Sequence, residues 1–284
     1  MSEIIMATVC VAVVGLIIGI FLGIAGKKFA VEVDERETAI LAVLPGANCG
    51  GCGFAGCAAN AHAIVEGSAK VNSCPVGGAA CAEKIAEIMG QAVSNEAPKV
   101  AFVKCSGNCE KAKNQMNYTG QMDCKLLAQV QGGGPKACSF GCMGGGTCVR
   151  VCQFDAIHVI DGIAQVDPEK CVACGQCVSN CPKHMIELKP KSNKYAVACS
   201  SKEKGKAVME VCAAGCIGCG LCEKNCKFDA IHLVDNIAHI DYEKCKNCGM
   251  CAMKCPKKVI HRLDGQPIPQ PKAPTPAPKK AAGE

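Results

Sequence analysis

Tryptophan is absent from the 284-residue chain, and seven phenylalanines and three tyrosines are all the aromatic mass it has. A soluble region so poor in large side chains cannot fill one extended core. This argues against a single large domain and for modules of about 50 to 70 residues, each stapled by something other than apolar burial. The stretch Gly132-Gly133-Gly134 lacks the Gly-Lys-Ser/Thr ending of a phosphate loop and the strand-helix setting of a dinucleotide fold, so no nicotinamide or flavin site is assigned. No catalytic residue is assigned either. What the chain has in abundance is cysteine, 27 in all.

Most of these cysteines fall in two copies of one pattern, Cys142 to Cys181 and Cys216 to Cys255, at a constant offset of 74 residues. The second copy reads Cys216-x2-Cys219-x2-Cys222-x3-Cys226, then Cys245-x2-Cys248-x2-Cys251-x3-Cys255-Pro256. Bacterial ferredoxins use this run for two [4Fe-4S] cubanes: three thiolates within seven residues curl around one cluster, and the fourth completes the other. The pattern therefore assigns Cys216, Cys219, Cys222 and Cys255 to one cubane and Cys245, Cys248, Cys251 and Cys226 to its partner. Zinc favours two separated pairs around a single tetrahedral ion and leaves the third cysteine without a use. Disulfides are discounted because cysteines on the positive side of an expected N-terminal membrane anchor, residues 4 to 26, would face a reducing compartment.

The first copy departs from the pattern at one place. Gly145 stands where the second copy has Cys219, and Cys138, four residues before Cys142, is expected to supply the missing thiolate. The expected sets are then Cys138, Cys142, Cys148 and Cys181, and Cys171, Cys174, Cys177 and Cys152; a three-iron or labile cluster is the alternative. Five cysteines remain, Cys105, Cys109, Cys124, Cys199 and Cys212. They read either as buried thiols or as a sixth cubane built from Cys105, Cys109, Cys124 and one of Cys199 or Cys212. Cys212-x3-Cys216-x2-Cys219 also matches the radical-SAM triad, but two of its members are committed to the ferredoxin run. His158 and His232 read as strand decoration, since the cysteine ligands are already complete. Asp161-Gly162 and Asp235-Asn236, between alternating apolar stretches, predict tight hairpin turns in two small α+β ferredoxin folds.

Upstream, Cys49, Cys52 and Cys57, with Cys74-Pro75, offer four ligands for one cubane among glycines that let backbone N–H groups approach its sulfurs. Helices are expected over 58–66 and 79–89, the second carrying Cys81 as a buried thiol. Residues 4 to 26 carry no charge, long enough at 1.5 Å per residue to span a bilayer, and only Glu3 precedes them, unlike a cleaved signal peptide. A retained transmembrane helix is expected, with Cys10 packed inside it. Lys27 and Lys28 at its end would place the rest in the cytoplasm.

The arrangement Cys-x2-Cys-x4-Cys-x16-Cys, after an anchor and before ferredoxin repeats, resembles the RnfB family, the polyferredoxin component of the Rnf ion-translocating electron-transport complex. The resemblance covers Ile4 to about Leu263. It implies an electron-transfer subunit of a ferredoxin:NAD+ oxidoreductase coupled to Na+ or H+ translocation, with reduced ferredoxin as donor and other membrane subunits as partners. A ferredoxin-type subunit of another membrane oxidoreductase, a corrinoid-associated iron-sulfur protein and an iron-sulfur store are the alternatives.

The expected organisation is an N-terminal transmembrane helix (1–27), a single-cluster helical module (28–97), a connector (98–137), two tandem bacterial-ferredoxin-like modules (138–190 and 212–263) joined by a basic connector (191–211), and a Pro/Ala/Lys-rich tail (264–284). Five [4Fe-4S] clusters are expected, or six if the remaining cysteines close another. The formal charge of +6 does not argue for nucleic acid, because each cluster with four thiolates carries about minus two and six of them make the loaded chain acidic. Lys189, Lys191, Lys194, Lys202, Lys204 and Lys206 read as solvated surface or as a strip that captures an acidic ferredoxin.

Overall fold

The computed structural model describes residues 2–28, 34–92, 97–264 and 266–268. In the first helix the side chains of Cys10, Lys27 and Lys28 lie outside the described residues, as does the tail from 269 onward.

Helix α1 (Ser2–Lys28) is 27 residues long, and apolar side chains such as Phe21 and Ile24 stand exposed along it. The expected transmembrane anchor is nevertheless corrected: among the described residues no helix is long and apolar enough to cross a membrane. Four glycines, Gly15, Gly19, Gly23 and Gly26, dilute the apolar character of α1.

Three helices follow, α2 (Glu35–Val43), α3 (Cys57–Val65) and α4 (Gly78–Met89). Asp34 caps α2 by accepting the Arg36 N–H, and Gly90, at φ 64°, closes α4 in the left-handed region that favours glycine. Their shared core is small, built on Ile40, Leu44, Ile64, Val71 and Ile85. Cys81 is buried there, its thiol 3.6 Å from the carbonyl of Val43.

The remaining elements are β1 (Lys99–Val103), α5 (Cys124–Leu127), α6 (Thr147–Arg150), β2 (Ile157–Ile160), β3 (Ile163–Val166), α7 (Gln176–Ser179), β4 (Ile186–Pro190), β5 (Tyr195–Val197), α8 (Gly205–Val211), α9 (Leu221–Lys224), β6 (Ile231–Val234), β7 (Ile237–Ile240), α10 (Met250–Lys254) and β8 (Ile260–Arg262). They form two copies of one plan. A hairpin, β2–β3 or β6–β7, lies beside an antiparallel pair of the module's first and last strands, β1–β4 or β5–β8. The cores correspond side chain by side chain at the offset of 74: Ile157 with Ile231, Ile163 with Ile237, Met185 with Val259, Ile186 with Ile260. Both expected tight turns are present. Asp161 and Gly162 take φ of 50° and 75°, and Asp235 and Asn236 take 50° and 63°, the positive angles a two-residue turn needs to match strand twist.

Candidate iron-sulfur sites

Short helices aim the sulfurs. Gly146, Gly175, Gly220 and Gly249 each cap α6, α7, α9 or α10 in the left-handed region, turning the chain just before the cysteine two residues on, Cys148, Cys177, Cys222 or Cys251. The fourth cysteine of each run is held by a second device. Three residues after it comes a non-glycine residue at positive φ (Asp155, His184, Asp229 or Lys258). The following N–H then donates to the sulfur: Ala156 to Cys152, Met185 to Cys181, Ala230 to Cys226 and Val259 to Cys255, each at 3.4 Å. Such donors favour a sulfur carrying negative charge.

Three cavities of cluster size are each lined by four cysteines. Cys216, Cys219, Cys222 and Cys255 line about 380 Å³ of empty space walled by Val197, Leu233 and Val259. Cys152, Cys171, Cys174 and Cys177 line about 360 Å³ beside Phe154 and Ile157. The third cavity, about 390 Å³, brings together Cys105, Cys138, Cys199 and Cys212. Cys138 is thus placed away from Gly145, and Cys124 is found there instead: a Cβ on Gly145 would lie 2.7 Å from the Cys124 nitrogen. Cys124 starts α5, and its N–H donates to Thr147 Oγ1 at 2.8 Å. Burial first, and then the charges of Cys142, Cys124, Cys181 and Cys177, push the Cys148 thiol up to about 12.

Cys226 and Cys251 pack against the core of the second module. Burial and the neighbouring Cys245 and Cys248 push the Cys251 thiol up to about 12. In the helical module Cys74 faces Cys52 and Cys57 and accepts the Gly77 N–H at 3.4 Å. The Asn48 side chain there accepts the Cys57 N–H at 2.8 Å. Cys109 is exposed, joins none of these sets and packs on the β2–β3 turn. His158 and His232 sit exposed beside Asp155 and Asp229.

Sequence reasoning missed one signal. Cys138 and Cys212 are themselves separated by 74 residues, so they occupy matching places in the two copies and belong together. The third cavity is lined by this pair and by Cys105 and Cys199, which are 94 residues apart but each stand two residues after the end of β1 and β5.

The chemistry of this donor set fits iron-sulfur clusters. All described cysteines are free thiols, and burial pushes those of Cys177, Cys199 and Cys222 up to about 11, so they ionise only with a cationic core to offset the repulsion. Among the described residues no group of three or more His, Cys, Asp or Glu closes tightly enough for a single metal ion. Spaces lined by four cysteines and walled by aliphatic side chains suit a larger inorganic core.

The basic strip is partly spoken for. Lys189 is buried, with Nζ donating to the Asn193 carbonyl. Lys191 pairs with Glu169 at 3.1 Å, Lys194 with Asp264 at 3.7 Å and Lys202 with Asp235 at 3.0 Å. Lys204 and Lys206 remain exposed.

Tandem two-cluster folds joined to a one-cluster helical module define a polyferredoxin, a one-electron carrier. The Fe-S cluster family matches residues 44–76, and 4Fe-4S dicluster domain families match 135–193, 170–230 and 215–259. The chain is 52% identical to the B subunit of the Na(+)-translocating ferredoxin:NAD(+) oxidoreductase complex of Acetobacterium woodii, over 82% of this chain and 70% of the relative. It is 44% identical to the B subunit of the proton-translocating ferredoxin:NAD(+) oxidoreductase complex of Clostridium ljungdahlii, over 86% and 87%. It is 43% identical to the B subunit of the ion-translocating oxidoreductase complex of Methanosarcina acetivorans, over 86% and 93%. The chain belongs to this family, the B subunits of ion-translocating oxidoreductase complexes.

Proposed function

We propose that this chain is the iron-sulfur electron-transfer subunit of a membrane complex that couples ferredoxin:NAD+ electron transfer to ion translocation. Reduced ferredoxin is its donor and other subunits of the complex are its acceptors. Six cysteine quartets hold six [4Fe-4S] clusters, which supply one-electron redox chemistry when bound. The quartets are Cys49, Cys52, Cys57 and Cys74; Cys124, Cys142, Cys148 and Cys181; Cys152, Cys171, Cys174 and Cys177; Cys105, Cys138, Cys199 and Cys212; Cys216, Cys219, Cys222 and Cys255; and Cys226, Cys245, Cys248 and Cys251. Cys81 and Cys109 are left as thiols.

The observation that carries this reading is that neighbouring quartets touch in a single file. Gly51, beside Cys52, packs against Cys174, and the Gln176 side chain donates to the Cys49 carbonyl, joining the helical module to the first ferredoxin module. Within that module the two quartets share its core. The Cys142 N–H then donates to Cys105 Sγ at 3.4 Å, and the Cys216 N–H donates to Cys199 Sγ at 3.4 Å, so the quartet between the modules is bonded to both neighbours. The protein's work is positional: it fixes the file, dries it with small aliphatic side chains and aims N–H dipoles at the sulfurs. Thiolate ligands need a reducing compartment, which supports a place on the cytoplasmic face, held to the membrane through the partner subunits.

Chemical analysis of anaerobically prepared protein tests the reading. About 24 iron atoms and an equal amount of acid-labile sulfide per chain are expected, six sets of four. A few zinc ions per chain in place of iron would overturn it.

A further inference from the structure

Lys136 is buried, 6% exposed, in the wall of the cavity between the two ferredoxin modules. Its ammonium donates to two backbone carbonyls, Gly107 at 2.7 Å and Gly162 at 2.8 Å. Both partners are neutral. A buried ammonium held only by neutral groups is costly unless an anion lies nearby, and each tether points to one. Gly107 follows Cys105 by two residues, and a Cβ on it would lie 3.2 Å from Cys212 Sγ. Gly162 lies in the turn just before Ala164, whose N–H donates to Cys142 Sγ at 3.5 Å.

Lys183, near Cys138 and Cys142, has Lys257 as its counterpart at the offset of 74, whereas Lys104, in the wall of the same cavity before Cys105, has Ala198 at the matching place before Cys199. At the place matching Lys136 the second copy carries Glu210, which is exposed. The two tethers of Lys136 thus lead to two quartets, Gly107 packing toward Cys212 and Gly162 standing just before the Ala164 N–H that donates to Cys142.

We propose that Lys136 is a tuning residue that raises the reduction potential of the cluster held by Cys105, Cys138, Cys199 and Cys212, and of its neighbour held by Cys124, Cys142, Cys148 and Cys181. Each added electron makes a cluster one unit more negative, and a fixed cation in a dry setting stabilises that form over the oxidised one. Electrons then gather where the two modules meet, on the side of the first. This rests on the quartets proposed above.

The test is a redox titration of the full chain followed by electron paramagnetic resonance, on Lys136→Gln, Lys136→Met and Lys136→Arg. Gln retains two N–H donors for the carbonyls, so it removes the charge with the least structural disturbance. The neutral variants are expected to lower at least one midpoint by a tenfold shift in the reduced-to-oxidised ratio, about 59 mV for one electron. Arg is expected to keep the wild-type value, and the cluster on Cys226, Cys245, Cys248 and Cys251 to stay unchanged in all three. Unshifted midpoints in both neutral variants would overturn the proposal. So would an equal shift in Arg, or loss of iron in both Gln and Met, which would make the lysine a structural strut. Wild-type protein holding about 20 iron atoms or fewer would instead remove the junction quartet itself, independently of Lys136.

Discussion

The residues that decide how many clusters this chain holds are those without a place in the standard run. Cys124 and Cys138 are the sharpest pair. Cys124→Ser is expected to destabilise the cluster at Gly145, and Cys138→Ser the one between the modules, each removing up to about four iron atoms. Cys109→Ser is expected to leave the iron content alone. Iron analysis of the three variants checks this, and an unchanged count for Cys124→Ser would reject its assignment. A second residue-scale prediction concerns His261, whose Nε2 lies 3.1 Å from Ser106 Oγ across the module junction. Burial, and then the charge of Lys111, hold its pKa below the usual histidine value. The neutral ring is therefore favoured in the folded chain. Stability is complete above the unfolded value of about 6.5 and falls as pH drops through it, because the unfolded chain then binds the proton more readily. Thermal unfolding between pH 8 and 5.5 should show this slope in the wild type and a flatter one in His261→Gln.

At the scale of the element, the four cysteine runs share a local strain. His184 and Lys258 take positive φ so that the next N–H meets a sulfur, at a cost of roughly 1 kcal/mol for a side chain in that region. Glycine there should relieve part of the cost: Lys258→Gly is expected to stabilise the loaded chain by up to about 1 kcal/mol with its iron intact. Denaturant unfolding under anaerobic conditions measures it, and a clear loss of stability would show that the lysine side chain contributes more than its backbone costs. Elements of this kind were legible in the sequence where spacing dictated them. The hairpins and the helices α3 and α4 follow from turn residues and from the internal repeat. Helix α2 has no such signature, being short and weakly patterned. The place of Cys124 was hidden because it depends on an insertion folding back onto Gly145, a tertiary event that local spacing does not encode. The apolar run at the N-terminus misled for the opposite reason: its composition suggests a span, while the described helix carries no stretch that meets the requirement.

For the whole molecule the question is continuity. The helical module meets the rest at a backbone-to-backbone contact, where a Cβ on Gly51 would lie 2.6 Å from the Cys174 carbonyl oxygen and 2.9 Å from its Cα. Neither atom belongs to a flexible side chain, so Gly51→Ala must push the modules apart. The expected result is unchanged iron with slower electron equilibration between the N-terminal cluster and the remainder, followed by freeze-quench spectroscopy. An unaltered rate would place the electron path elsewhere.

The quartet between the modules also dictates a timetable for manufacture. Its members come from Cys105, Cys138, Cys199 and Cys212, so it is finished only after a chain segment more than a hundred residues long has closed on itself. The entropy of closing so long a loop grows only slowly with length, but the ribosome delivers Cys212 many seconds after Cys105 at about 5 to 20 residues per second. During that interval Cys105 and Cys138 wait as unligated thiols while the first module's own quartets are completed at Cys177 and Cys181. The central station is thereby finished after the first module's sites and before the second's, which end at Cys251 and Cys255, and a chain that fails to load it would hold two competent halves with nothing to join them.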